Sequence, residues 1–250
     1  MNIQFGTGVL FMAPNGGNTA ANPTPQRLGI LQEVSVDFKA DLKKLYGQKQ
    51  LPVATARGKI DVMAKGKFAA FNPTMLNQVY FGQVQTAGIM KVADQEAHAI
   101  PGSPAYTVTV TNVAGVPIVD LGVTFADGTP LTLVGSLTAT GQYMVNLATG
   151  VYTFDSADAS ANVLISYMYS ASSQGATITL ANQLMGYAPY FEAVLYNNFR
   201  GKYLSIQLNS CVMGDFTMPT KLEDFWIPDF SFSAETDAND VLGAIYADLI

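Results

Sequence analysis

The sequence predicts a mainly β protein, a β-sandwich or open barrel with one short α-helix and a second, smaller β-sandwich inserted into it. Three observations predict this class. Apolar and polar residues alternate with a period of two in several segments, as they do in strands with one buried face. Residues common in strands and turns are plentiful, with 14 Phe, 12 Tyr and 22 Gly. Hydrophobic residues make up 49% of the 250 residues, enough for a sizeable core.

The first strand is predicted at residues 5–12, before a loop rich in Gly, Asn and Pro at residues 14–25. Residues 28–38 and 57–70 predict two further strands because their apolar and polar residues alternate. The apolar positions expected on one face are Val34, Val36, Phe38, Ile60, Val62, Ala64, Gly66 and Phe68.

Residues 39–56 form a long connection between these two strands and carry apolar side chains beside lysines. A connection of this length is not expected to be a tight hairpin, and long loops in compact domains are usually functional or disordered. We therefore expect an arm that docks onto another subunit, and a function in assembly. The expected contact residues are Asp41, Leu42, Lys43, Lys44, Leu45, Tyr46 and Lys49.

The one clear helix is predicted between Asn72 and Gly82. Asn72 is a favourable N-cap, Pro73 suits the first helical position, and Gly82 suits the position just past the end. The apolar stripe that would lie on the sheet consists of Met75, Leu76, Val79 and Tyr80.

The composition changes near residue 100, because residues 100–169 contain no Lys or Arg. Short strands separated by turns are predicted there, which is typical of a small sandwich. The expected strands are 106–111, 118–125, 143–147, 151–154 and 163–169. We therefore predict a discontinuous first domain of residues 1–99 and 172–250, and an inserted β-rich subdomain of residues 100–171.

After the insertion the strand pattern returns. Strands are predicted at residues 176–180, 191–196, 203–212, 223–227 and 230–234, and residues 241–250 could form a strand or a short helix. The aromatic residues Phe225, Trp226, Phe230 and Phe232 have acidic neighbours, which favours a core or a subunit interface over a surface for single-stranded nucleic acid.

The net charge of −6 argues against a protein that grips DNA, which normally carries a basic surface. The charge is uneven, because residues 1–100 carry +4 and residues 172–250 carry −6. Two interpretations stay open. The two segments could meet head to tail between identical subunits, an arrangement that generates rings or filaments, or they could be neighbours within one fold.

The residues predict no catalytic, metal or cofactor site. Cys211 is the one cysteine and is expected to be a buried strand residue. His98 is the one histidine and has no partners for a zinc site or a nucleophile motif, so a satisfied or solvated loop position is expected. Asp155 and Asp158 are favoured as turn residues over a metal site. No signal peptide and no membrane-spanning segment are predicted.

Several stretches resemble the major tail (tail tube) proteins of long-tailed bacteriophages. These stretches are residues 28–39, 45–48, 57–60, 184–195, 221–225 and 228–230. The resemblance covers the two segments that flank the insertion, and the insertion itself is similar to the immunoglobulin-like additions that some tail proteins carry outside the tube. Residues 155–162 resemble the turn before the sixth strand of such a domain, although the usual Tyr and Cys are absent.

The resemblance implies a structural virion protein whose subunits form rings, usually hexameric, that stack into the tube through which the genome is delivered. The long loop would reach the adjacent ring, and other tail proteins (tape measure, terminator and baseplate) would be further partners. DNA would pass in transit without tight binding, because the lumen of such tubes tends to be acidic. The carboxylates expected to face the lumen are Asp37, Asp61, Glu192 and Glu223.

Two alternatives stay open. The first is another phage structural component, such as a tail terminator, a baseplate protein or a capsid decoration protein. The second is an adhesive or carbohydrate-binding module built on the inserted sandwich, for which exposed tyrosines on one sheet face would be needed. The candidates for such a face are Tyr143, Tyr152, Tyr167 and Tyr169. An enzyme is the class that the residues support least.

Overall fold

The computed structural model describes residues 4–14 and 24–248, and within them the chain is mainly β, as predicted. The strands are β1 (Val9–Pro14), β2 (Gln26–Arg27), β3 (Gly29–Tyr46), β4 (Pro52–Phe71), β5 (Gln85–Ala99), β6 (Thr107–Thr109), β7 (Val119–Phe125), β8 (Thr132–Leu133), β9 (Gln142–Asn146), β10 (Val151–Phe154), β11 (Asn162–Ile178), β12 (Tyr190–Phe199), β13 (Lys202–Thr217), β14 (Asp229–Glu235) and β15 (Gly243–Ala247). The helix α1 (Pro73–Leu76) continues as a π-helical turn, Asn77–Phe81.

The chain divides into two compact units. The first contains the residues up to Val84 and those from Ile178 onward, and the second is Gln85–Thr177. The second unit therefore begins earlier and ends later than the predicted insertion of residues 100–171. The reason is that β5 and β11 are long hydrogen-bonded neighbours and stay together in one sheet.

The strands described for the first unit form one antiparallel sheet in the order β2-β1-β12-β13-β14-β4-β3, with β15 also paired to β13. The sheet curls around its core, because Val34 and Val36 of β3 pack against the same cluster as Leu195 of β12. The backbone N–H of Leu28 also donates to the carbonyl of Leu10 in β1 at 3.2 Å. The first unit is therefore a curled antiparallel sheet packed on one core, consistent with the predicted β-sandwich or open-barrel class.

The predicted alternation is confirmed where the strands cross the core. In β4, Val62, Ala64, Gly66 and Phe68 are buried while the residues between them are more exposed. Phe68 stacks on Phe230 of β14, with ring centroids 4.4 Å apart. Phe38 and Ile60 were expected on the buried face but are about half exposed, because they lie beyond the end of the core.

The predicted helix boundaries are confirmed. Asn72 Oδ1 accepts hydrogen bonds from the backbone N–H groups of Thr74 (3.0 Å) and Met75 (3.4 Å). Gly82 ends the helical segment in the left-handed region with φ 57°, which glycine adopts at low cost. Three members of the apolar stripe are buried in the core of the first unit, namely Met75, Leu76 and Val79.

The prediction of a long loop at residues 39–56 is wrong. β3 continues to Tyr46 and β4 begins at Pro52, so only residues 47–51 form the connection of a long β-hairpin. Sequence periodicity did not indicate these strands because every residue from 38 to 61 is exposed, and neither face needs to be apolar. Backbone hydrogen bonds between the two strands satisfy the main chain here without a core.

The second unit is a small sandwich. Two sheets, β6-β10-β9-β8 and β5-β11-β7, share one hydrophobic core. The five strands predicted in this segment are all present, although the structure adds β5 and β8 and extends the last one to Ile178.

Other predicted boundaries differ. The first strand begins at Val9, and Phe5 precedes it. β12 and β13 are joined by only Arg200 and Gly201, whose φ values of 52° and 76° suit a two-residue hairpin turn. Residues 223–227 are not a strand, and the segment after residue 241 contains β15.

Candidate assembly surface

The hairpin formed by the ends of β3 and β4, residues 39–59, is named the arm. Its eight residues from Lys39 to Tyr46 would span about 26 Å at the usual rise of a strand. Apolar side chains along it are solvent-exposed, and none of them packs into the core of the first unit. The exposed apolar residues are Leu42, Leu45, Tyr46, Leu51 and Val53.

The two faces of the arm differ. Lys43 lies opposite Ala56, and Leu45 lies opposite Ala54. Since cross-strand partners point to the same side, Lys43 and Leu45 stand on one face among small residues. Leu42 and Lys44 alternate with them and therefore stand on the opposite face, with Arg57 and Thr55.

The arm is strongly basic. It contains six of the thirteen basic residues of the chain and one of the nineteen acidic ones, which gives it a charge of +5 and leaves −11 on the remainder. Its basic residues are Lys39, Lys43, Lys44, Lys49, Arg57 and Lys59. The sequence had indicated Lys43, Lys44 and Lys49, but Arg57 and Lys59 were missed because they were assigned to a strand outside the loop.

Three of the four carboxylates expected at a lumen lie on the outward face of the sheet. In β3 and β4, Asp37 and Asp61 alternate with core-facing neighbours. In β12, Glu192 lies between the buried Phe191 and Ala193 and accepts a hydrogen bond from Gln207 Nε2 at 2.6 Å. These residues therefore point away from the core, although they do not form one cluster.

The same face carries groups that the sequence did not single out. A shallow groove of about 390 Å³ is lined by acidic, hydroxyl and lysine side chains, including Glu33, Asp215 and Asp229. Glu33 pairs with Lys67 at 3.3 Å, and Ser231 donates to Asp215 at 2.9 Å. The groove holds charges of both signs, because Lys65 and Lys67 also line it.

The fourth carboxylate, Glu223, lies in an exposed connection between β13 and β14 instead of the predicted strand. Leu222, Phe225 and Trp226 beside it are 99%, 84% and 62% exposed. The predicted aromatic stretch is thus divided, because Phe230 and Phe232 are buried in the core while Phe225 and Trp226 are on the surface. Lys221 Nζ donates to Asp224 at 3.0 Å and lowers the pKa of that carboxyl.

A polar cluster in the second unit is centred on Glu96. Its Oε1 accepts hydrogen bonds from the N–H and hydroxyl of Thr111 (2.8 and 2.7 Å) and lies 2.6 Å from His98 Nε2. Its Oε2 accepts from the Tyr167 hydroxyl at 2.6 Å. Burial would raise the pKa of Glu96, but the bonds from Tyr167, Thr111 and His98 outweigh it and lower the pKa to about 2. His98 is therefore a bonded strand residue.

The tyrosines considered for carbohydrate binding do not form an exposed face. Tyr143, Tyr152 and Tyr167 are buried. Asp120 accepts hydrogen bonds from the hydroxyls of Tyr143 (2.6 Å) and Tyr152 (2.9 Å). Burial, together with this carboxylate, raises the pKa of both phenols. These residues hold the core of the second unit together.

The remaining candidates have structural roles. Asp155 Oδ1 caps a short 3₁₀ turn by accepting from Ala157 N–H at 2.8 Å, and Asp158 accepts from Thr140 and Gly141. Cys211 is fully buried, as predicted, and burial raises the pKa of its thiol to about 12.

Across residues 4–14 and 24–248, no group of three or more His, Cys, Asp or Glu could hold a metal ion. No helix in that part of the chain has the length and apolar character to cross a membrane.

No protein-family model matches the chain, and no curated protein matches it in sequence.

Proposed function

We propose that this protein is a structural virion subunit that polymerises as stacked rings into the tail tube of a bacteriophage. The observation that carries the proposal is the arm. It is a folded hairpin whose apolar and basic side chains are exposed along its whole length. Exposed apolar surface of this kind marks a protein interface, and the arm would supply the contact between successive rings.

The sheet of the first unit supports lateral assembly. β2 and β3 stand at the two ends of its strand order in the described residues. Exposed strand edges are templates for pairing with another chain. In the proposed ring, neighbouring copies join through such edges, so that one ladder of hydrogen bonds continues around the tube.

The proposed lumen would be lined by the more acidic part of the outward face. Glu192, Asp215 and Glu235 lie on β12, β13 and β14, whereas β3 and β4 carry lysines beside their carboxylates. Like charge on the wall and on the DNA phosphates would keep the genome from adhering. The repulsion extends over about one Debye length, roughly 8 to 10 Å in physiological salt. Tape measure, terminator and baseplate proteins would be the further partners.

Electron microscopy of the concentrated, purified protein tests the proposal. Open-ended filaments of uniform width with a central channel are expected. The matched variant replaces residues 41–59 with Asn-Gly, because Ala40 and Ile60 are cross-strand partners and such a turn can join them. This variant should remain folded and form no filaments. Full-length filaments from the variant, or closed particles from the wild type, would contradict the proposal.

A further inference from the structure

We propose that the arm of one copy docks into an apolar groove with an acidic rim beside β15 of a neighbouring copy. The inference rests on the proposed function and names the surface that accepts the arm. The groove has a volume of about 230 Å³ and is lined by apolar residues except for Gln207. Its lining residues are Phe38, Ile206, Gln207, Leu208, Leu242, Gly243, Ala244 and Ile245.

The floor of the groove is open to a partner. Ile245 is 60% exposed and Phe38 is 48% exposed, although both are large apolar residues. β15 pairs with β13 along one edge, and no strand is paired to its other edge in the described residues. An apolar segment seated here would remove these side chains from water.

The rim of the groove is acidic. Two of its lining residues, Leu208 and Leu242, adjoin in sequence two residues that hydrogen-bond to Asp237, namely Asn209 and Val241. On the side of Leu242, Asp237 accepts hydrogen bonds from Val241 N–H (3.0 Å), Asn239 N–H (2.8 Å) and Asn209 Nδ2 (2.9 Å). These bonds keep its pKa below the ordinary value. Residues 222–248 contain seven acidic residues and no basic residue.

One face of the arm carries both an apolar and a basic side chain, which match the apolar floor and the acidic rim of the groove. Lys43 and Leu45 share one face and are about 6.6 Å apart at the rise of a strand. Leu45 stands among Ala54, Ala56 and Gly58 on that face, so the backbone of the arm could approach a groove closely. Leu45 would enter the apolar floor while Lys43 meets the acidic rim.

The competing surface is the connection that carries Leu222, Phe225 and Trp226. It is also apolar and acidic, but its side chains are 62% to 99% exposed, whereas the groove is concave. The groove also includes Phe38 at the base of the arm. Contact between the tip of one copy and the base of another is heterologous and continues from copy to copy, as a filament requires.

Disulfide cross-linking of assembled filaments tests the docking. The variant L45C/I245C should give a ladder of linked copies on a non-reducing gel after mild oxidation. The control L45C/L222C should give none, and Cys211 should not contribute because it is buried. Filaments of L45C/I245C without linked copies, or equal linking in the control, would overturn the docking of the arm into the groove. The proposed function would remain. Absence of filaments from the wild type would overturn both.

Charge variants test the same docking without cysteines, in case the double variant fails to assemble. K43E should raise the concentration needed for filament formation by about tenfold, and K44E, on the opposite face, by less than about threefold. In a D237N background, which removes the charge of the rim, K43E should have a smaller effect than in the wild type. Equal effects of K43E and K44E, or the same effect of K43E in both backgrounds, would overturn the assignment.

Discussion

Lys43 of β3 lies directly opposite Ala56 of β4, well beyond the last core residue of either strand. This pairing makes the arm a folded hairpin with two defined faces, so its charges have fixed positions before any partner arrives. An arm that is already ordered loses less conformational entropy on binding than a flexible loop would. The following predictions depend on this arrangement and on the cores beneath it.

Assembly should weaken as salt is added. The arm carries +5 and the remainder of the chain −11, so contacts between them are attractive and screened by ions. Light scattering should show less polymer as NaCl rises from about 0.05 to about 0.5 M, where the Debye length becomes shorter than about 5 Å. A K43Q/K44Q/K49Q variant should show a smaller dependence on salt. Assembly that strengthens with salt would indicate a purely apolar contact.

The second unit should lose stability in acid through Glu96. The folded pKa of about 2 lies below the ordinary value of 4.5. The stabilisation is therefore present above about pH 4.5 and is lost as the pH falls toward 2. Its size is on the order of 3 kcal/mol, since the difference is about 2.5 pKa units and each unit corresponds to about 1.4 kcal/mol. Near-ultraviolet circular dichroism of the buried tyrosines would follow thermal unfolding at each pH. E96Q should flatten this dependence, whereas E33Q, on an exposed carboxylate, should preserve it.

Truncation of two phenylalanines should change the stability of the first unit to very different extents. Phe68 is fully buried and stacked on Phe230. F68A should therefore lower the free energy of unfolding of the first unit by about 3 to 5 kcal/mol. Phe225 is exposed, and F225A should change the free energy of unfolding by less than about 0.5 kcal/mol. Urea denaturation followed by far-ultraviolet circular dichroism would measure both. A large loss of stability in F225A would mean that its connection packs against the body of the protein.

The thiol of Cys211 should be inert in the folded protein. It is fully buried, and its pKa of about 12 leaves almost no thiolate at neutral pH. Reaction with a disulfide reagent should be slow in buffer and rapid in denaturant, because the thiolate is the reactive form. Rapid labelling of the native protein would show that β13 opens readily.

The sequence predicted the elements whose signals are local. Asn72, Pro73 and Gly82 defined the helix because capping depends on groups within one turn. Val62 to Phe68 defined a strand because one face of β4 is buried and the other is not. The same criterion failed for the arm, where both faces are exposed, and for residues 223–227, whose apolar residues lie on the surface.

The candidate site was only partly predictable for the same reason. The basic and apolar residues of the arm were evident, but their division into two faces depends on residues 39–59 being paired strands in this register. The acidic rim depends on Asp237, which is held by hydrogen bonds from Asn209 of β13 and from Val241 before β15, and the contact with Asn209 joins residues 28 positions apart.

The sequence by itself determined the β class, the helix boundaries, the burial of Cys211 and the concentration of positive charge in residues 39–59. Only the tertiary structure decided that these residues form a hairpin, which tyrosines are buried and which carboxylates share a face. The physical reason is that alternation and capping fix a side chain relative to its own segment. The pairing of distant strands depends on the free energy of the whole core.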